Sequence, residues 1–127
     1  MSKSVNKAIL VGNLGKAPEV KYTTSGKAVA NFSLAIDERY KDKSGEWQDR
    51  TEWVNVVLWE RLAEIAKEYL SKGSKCYIEG RLATRNYEKD GHKVYVTEVI
   101  GSELVLLGSK QQSSEPAAQP DSEEAPF

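Results

Sequence analysis

The stretch TEWVNVVLWERLAEIAKEYLSKGSKCYIEGRL, residues 51–82, predicts a strand, a helix and a second strand in immediate succession. Residues 51–59 and 75–82 alternate side chains with a period of two, as a strand does. Between them the period becomes helical, and Gly73 is predicted to end the helix. The helical spacing is carried by Leu62, Ile65, Ala66, Tyr69 and Leu70.

Strand patterns also flank this stretch on both sides. Residues 5–14 form a strand candidate, and Thr24-Ser25-Gly26-Lys27 is a turn signal. The following KAVANFSLAI alternates cleanly, so we expect one face to hold Ala30, Phe32, Leu34 and Ile36. Residues 37–51 carry nine charges and little apolar content, which predicts a long exposed loop.

The carboxyl-terminal part of the pattern predicts a hairpin. Lys89-Asp90-Gly91-His92 is typical of its turn, and the last strand is expected to bend at Gly101. The order is then three strands, one helix and two long strands. This order predicts an all-β fold with one helix between the third and fourth strands, the five-stranded Greek-key barrel called the OB-fold. An open sheet with a helix on one side stays possible.

Length and charge divide the 127 residues into two parts. Residues 1–108 are predicted to form one globular domain, and residues 109–127, SKQQSSEPAAQPDSEEAPF, a disordered linker ending in an acidic tip, because they offer almost nothing to bury. The chain has 18 basic and 19 acidic residues, and one basic and four acidic residues lie in the tail. Residues 1–108 therefore hold 17 basic and 15 acidic residues, a net charge of +2. That charge alone indicates no nucleic-acid partner.

Cysteine and histidine usage excludes several classes of protein. Cys76 and His92 are the single residues of their types, so neither an internal disulfide nor a Cys/His zinc site can form. No catalytic constellation, metal site or cofactor motif is apparent, and we expect no enzymatic activity. No apolar run approaches the roughly 20 residues of a membrane span, so we expect a soluble, cytoplasmic protein without membrane contact.

The third strand indicates what the domain binds. Counting by two, Val54, Val56 and Leu58 face the core, whereas Trp53 and Trp59 face outward. On the fourth strand Cys76, Ile78, Gly80 and Leu82 are expected to point inward. The opposite, outward face holds Tyr77 and Glu79, and further along the same face two cations accompany an aromatic ring: Arg81, Arg85 and Tyr87.

Aromatic rings beside cations suit unpaired polynucleotide, because bases stack on the rings while the cations follow the phosphates. Tyr40 repeats this combination with Arg39, Lys41 and Lys43, and Trp47 lies in the same segment. The alternative from these residues alone is that Trp53 and Trp59 pack in a subunit or partner interface.

The sequence resembles the bacterial single-stranded DNA-binding protein family over nearly all of residues 3–107. The resemblance is carried by VNKAILVGNLGKAPEVKYTTSGKAVANFSLA, by TEWVNVVLWERLAEIAKEYLSKGSKCYIEGRLATRNY and by the acidic terminus closing in Pro126-Phe127. It implies an OB-fold, a homotetramer wrapped by single-stranded DNA, and no catalysis or cofactor.

The resemblance also implies roles for particular residues. Base-stacking positions correspond to Tyr40, Trp53, Trp59 and Tyr87, and phosphate contacts to Lys43, Arg61, Lys72 and Arg85. The tip implied to dock replication and repair proteins comprises Asp121, Glu123, Glu124, Pro126 and Phe127. Tyr40 and Tyr87 replace the family's usual tryptophans, and Val54 replaces a histidine familiar at a subunit contact. A protein-interaction module and an RNA or tRNA binder, both on an OB-fold, remain the rival interpretations.

Overall fold

The computed structural model describes residues 3–108, and the predicted tail 109–127 lies outside the described residues. Its elements are β1 (Ala8–Leu14), β2 (Glu19–Tyr22), β3 (Ala28–Lys41), β4 (Trp47–Trp59), α1 (Arg61–Tyr69), β5 (Lys75–Lys89) and β6 (His92–Leu107). Within these residues no helix has the length and apolar character needed to span a membrane.

Five strands close into a barrel in the order β1-β5-β6-β4-β3, with β1 returning to β3 through the pairs Asn13 with Ala35 and Leu14 with Leu34. The short strand β2 pairs with the first residues of β3, on the same edge of β3 that β1 contacts. Strands β4 and β6 run parallel, and the remaining pairs are antiparallel. Along the chain, helix α1 lies between β4 and β5, which are the third and fourth of the five barrel strands. The predicted OB-fold is therefore confirmed.

The core follows the predicted alternation. The even-numbered positions of β3 face inward, and Ala30, Phe32 and Leu34 are buried there while Ile36 packs against them. Val56 and Leu58 of β4 and Ile78 of β5 complete the interior. Gly12 has no side chain because a Cβ there would meet the backbone oxygen of Ala35, where β1 crosses β3 to close the barrel.

Helix α1 differs from the prediction in two ways: one residue expected on its apolar face is exposed, and the helix ends earlier. Ala63, Ala66 and Leu70 are buried against the barrel, whereas Tyr69 is more than half exposed. The helix ends at Tyr69 instead of Gly73, because Leu70 adopts an extended conformation that places its side chain in the core. Gly73 instead forms the next turn with φ of 88° and donates its N–H to the carbonyl of Leu14.

Residues 37–51 are not the loop that their charge predicted. Strands β3 and β4 continue beyond the barrel as a two-stranded ribbon, paired without a break from Ile36 with Glu52 to Lys41 with Trp47. The turn at its tip is held by Asp42, whose carboxylate accepts hydrogen bonds from the N–H groups of Ser44 and Glu46, both at 2.9 Å. These bonds lower the pKa of Asp42. The ribbon carries charges on both faces, which hid its strand periodicity.

A second ribbon is formed by β5 and β6. Its predicted turn is confirmed, since Lys89 pairs with His92 and the two residues between them have positive φ, 52° at Asp90 and 80° at Gly91. The bend at Gly101 is confirmed as a bulge in the β5–β6 register. Leu82 was expected to point inward but is half exposed, because the barrel core ends near Gly80 and the ribbon leaves it there.

Candidate nucleic-acid interface

Trp53 and Trp59 stand on the outer face of β4, as the alternation predicted. Their side chains are 57% and 41% exposed, whereas Val56 and Leu58 between them are fully buried. Trp59 follows Trp53 by six positions, which places the two residues about 20 Å apart along the strand at ~3.3 Å per residue. The sequence prediction of outward-facing indoles is therefore confirmed, and two large aromatic surfaces are open to a ligand.

The surroundings of Trp53 hold its ring in place without covering it. Its partner on β3 is Ala35, which is too small to screen the indole. Gly15, between β1 and β2, lies so close that a Cβ on it would come within 2.6 Å of Cζ3 of the ring. The missing side chain of Gly15 therefore lets the indole lie against the backbone.

A groove of about 710 Å³ lies beside these residues, between the outer faces of β3, β4 and β6 and the segment that joins β1 to β2. Three polar side chains from β3 and β4 line it: Asn31, Ser33 and Asn55. The hydroxyl of Ser33 donates to the side-chain oxygen of Asn55 at 3.3 Å. Three cationic side chains also line the groove, Lys16, Lys21 and Arg85, together with two carboxylates, Glu19 and Glu98. The cations can accept phosphates, and the amide and hydroxyl groups can meet polar base edges.

Arg85 is tied to an acid that the sequence analysis did not single out. Its Nε donates to Oε1 of Glu98 at 3.0 Å, and the Glu98 side chain is 8% exposed against 58% for Arg85. The register pairs Ala83 with Glu98, so both charged groups lie on one face of the β5–β6 ribbon. A buried carboxylate requires a partner, and Arg85 is therefore part of the structure of the groove as well as a candidate phosphate contact.

The other candidate residues of β5 lie where alternation placed them. Arg81, Arg85 and Tyr87 share one face of the ribbon, and Tyr87 is 43% exposed. Tyr40 does not join the tryptophans, because its even position puts it on the opposite face of the β3–β4 ribbon. There the Arg50 guanidinium lies 5.4 Å from the centre of its ring.

Four of the predicted phosphate contacts are exposed and have no acidic partner among residues 3–108. They come from different elements and are Lys43, Arg61, Lys72 and Arg81. Lys43 lies in the turn at the tip of the β3–β4 ribbon, and Arg61 opens α1 two residues after Trp59. Cations without partners add attraction for a polyanion without first giving up an ion pair.

The amino-acid sequence of this chain is similar to those of known proteins. The model of the Single-strand binding protein family matches residues 5–107. Single-stranded DNA-binding protein 1 of Chlorobaculum tepidum is 47% identical over 112 residues, which cover 87% of this chain and 69% of that protein.

Two solved structures resemble this fold. The SSB of Plasmodium falciparum, in complex with single-stranded DNA, has a TM-score of 0.79 at 32% identity over 85% of this chain and 99% of its own. A deletion variant of the single-stranded DNA-binding protein from Thermus aquaticus has a TM-score of 0.75, also at 32% identity, over 85% of this chain and 53% of its own.

The Arg85–Glu98 pair generates a prediction about stability. We expect Arg85→Ala to lower the free energy of unfolding by about 1–3 kcal/mol, because it leaves a buried carboxylate without its partner. The double variant Arg85→Ala/Glu98→Gln should recover most of that loss, since a neutral amide costs less to bury. Urea denaturation measures both, with Arg81→Ala on the same ribbon face as control. An Arg85→Ala variant as stable as the wild type would contradict this role for the pair.

Proposed function

This chain belongs to the single-strand binding protein family, and we infer that it binds single-stranded DNA without reading its sequence. The observation that carries the proposal is the pair of exposed indoles, Trp53 and Trp59, on one face of β4. Each unpaired base offers a π-face to such a ring, and stacking is worth about 1–3 kcal/mol per base. Duplex DNA hides those faces, so the same surface discriminates against it.

The cations supply the second part of the proposed mechanism. We assign Lys43, Arg61, Lys72, Arg81 and Arg85 to the phosphates, and Tyr40 and Tyr87 to further stacking. The mild net charge of the domain matters little for this, because the contacts depend on where exposed cations stand beside rings. The SSB of Plasmodium falciparum forms a complex with ssDNA, which supports the same ligand for this chain. By this proposal the protein coats single strands during replication, recombination and repair in the cytoplasm.

We assign no catalytic step to the chain. Cys76 is buried, and burial raises the pKa of its thiol to about 11, so the nucleophilic thiolate is scarce at neutral pH. His92 lies exposed beside the β5–β6 turn. Within residues 3–108 no three His, Cys, Asp or Glu side chains are grouped to hold a metal ion. The chemistry on the surface is that of binding.

A titration of tryptophan fluorescence tests the binding mode. We expect poly-dT to quench the emission strongly, and Trp53→Ala or Trp59→Ala each to weaken binding by about 1–3 kcal/mol, because each removes a stacking surface. Trp53→Phe is the matched control, since it keeps an aromatic ring. The slope of affinity against salt concentration counts the phosphate contacts. Tight duplex binding without quenching by poly-dT would reject the proposal, and preference for poly-U would favour an RNA ligand.

We propose that the protein assembles as a homotetramer, as the family resemblance implies, through the outer face of β1, β5 and β6. Val11, Tyr77 and Val105 stand in one cross-strand row there. Val11, Val105 and the nearby Ile9 are exposed apolar side chains, which a second copy of the chain would cover. One edge of β1 is also unpaired from Ala8 to Gly12 among the described residues.

The assembly proposal predicts that Val105→Asp reduces the molar mass measured by light scattering, because it places a charge in the apolar row. Trp53→Ala should leave the mass unchanged. The opposite result, with dissociation caused by Trp53→Ala and not by Val105→Asp, would place the subunit interface at the tryptophans. That outcome would also favour a protein-interaction module over a DNA-binding role for those rings.

We further propose that the acidic tip recruits replication and repair proteins. Its residues lie outside the described part of the chain, so the proposal rests on sequence, where Asp121, Glu123 and Glu124 precede Pro126 and Phe127. An apolar anchor flanked by carboxylates suits a pocket with a basic rim. The same carboxylates can compete with DNA for the domain's cations at low salt.

Removal of residues 120–127 should therefore raise DNA affinity a few-fold at low salt, and the gain should disappear at high salt. The same deletion should abolish capture of replication and repair proteins. Phe127→Ala is the matched control, because it keeps the charge while removing the anchor; it should lose the partners and leave DNA affinity unchanged. Partner binding that survives the deletion would remove this role from the tip.

A further inference from the structure

The three tryptophans of the chain, Trp47, Trp53 and Trp59, recur at intervals of six residues along one strand. An even interval keeps the face of a strand, so all three indoles have the same parity on β4. We propose that Trp47 is a third base-stacking surface for single-stranded DNA, and that the binding face extends from the barrel to the tip of the β3–β4 ribbon. This inference rests on the proposed function.

Within residues 3–108, Trp47 takes no part in the packing of the core that would explain its size. It lies near the tip of the ribbon, beyond the barrel core, and is 56% exposed. Its partner in the register is Lys41, and the ribbon is already held by paired backbones and by the turn at Asp42. An indole left half in water at such a place is better explained by a ligand that covers it.

Two cations stand over the indole of Trp47. The guanidinium of Arg39 lies 5.3 Å from the ring centre, and the ammonium of Lys41 lies 5.7 Å from it. The acidic neighbour of Arg39 is Asp49, at 3.6 Å, and both of those side chains are highly exposed. Stacking of a base on an indole is stronger than a cation–π contact in water. An arriving strand can therefore draw both cations to its phosphates and take the ring face for a base.

Tyr40, on the same ribbon, provides the contrast. It has the opposite parity, and the guanidinium over its ring belongs to Arg50, which is held by Glu38 at 3.0 Å. Arg50 donates two hydrogen bonds to Glu38, at 3.2 and 3.0 Å, whereas Arg39 lies 3.6 Å from Asp49, so Arg50 is the more closely paired cation. Trp47 therefore shares the tryptophan face of β4, whereas the stacking assigned to Tyr40 requires the strand to reach the opposite face of the ribbon.

The test compares Trp47→Ala with the wild type in the full chain, by anisotropy of a fluorescein-labelled poly-dT oligonucleotide. Trp47→Ala should weaken binding about tenfold, as the loss of one stacked base does, while Trp47→Phe keeps most of the affinity. Unchanged affinity for Trp47→Ala, or a loss of molar mass in that variant, would overturn the inference, the latter by placing Trp47 at a subunit contact.

Direct evidence comes from the variant Trp53→Phe/Trp59→Phe, in which Trp47 is the one tryptophan left to emit. Quenching of that emission as labelled poly-dT binds would support stacking on Trp47. Bound oligonucleotide with unchanged emission would contradict it. The wild-type protein is titrated in parallel, because failure of the wild type to bind poly-dT rejects the proposed function itself, separately from the role of Trp47.

Discussion

Alternation along β4 is the constraint on which the interface depends. The barrel closes around Val56 and Leu58, which are both fully buried in its core. Because successive side chains of a strand point to opposite sides, filling the core with the even positions forces the odd ones outward. Trp53 and Trp59 are thus exposed by the same packing that holds the barrel together. The proposed binding surface therefore takes no volume from the core.

Electrostatics then shape that surface locally. The domain carries only a small positive charge, but exposed cations without acidic partners in the described residues lie on the ribbons, on α1 and near the groove. The buried carboxylate of Glu98 holds Arg85 at the groove wall. The ion pair weakens the attraction of Arg85 for phosphate but fixes the position of its guanidinium. Cations over the rings of Trp47 and Tyr40 keep positive charge beside the aromatic surfaces.

The sequence was sufficient wherever one strand face was apolar and the other polar. That contrast predicted the inward row of β3 and the outward tryptophans, whereas the turn was predicted from its Asp90-Gly91 pair. It failed where the contrast vanished: residues 37–51 carry charges on both faces of a ribbon, so a paired hairpin looked like a loop. Glu98 could not be found either, because its burial depends on the approach of β4 to β6, which is distant in sequence. The early end of α1 depends in the same way on the tertiary packing of Leu70.

The central claim is that the outward indoles of β4 receive unpaired bases. Each indole N–H gives its own resonance in a ¹⁵N–¹H correlation spectrum, assignable by single Trp→Phe variants. Saturation with a poly-dT oligonucleotide should shift the resonances of Trp53 and Trp59 while the amides of the buried Val56 and Leu58 move little. Bound oligonucleotide that leaves both indole resonances in place would contradict the account.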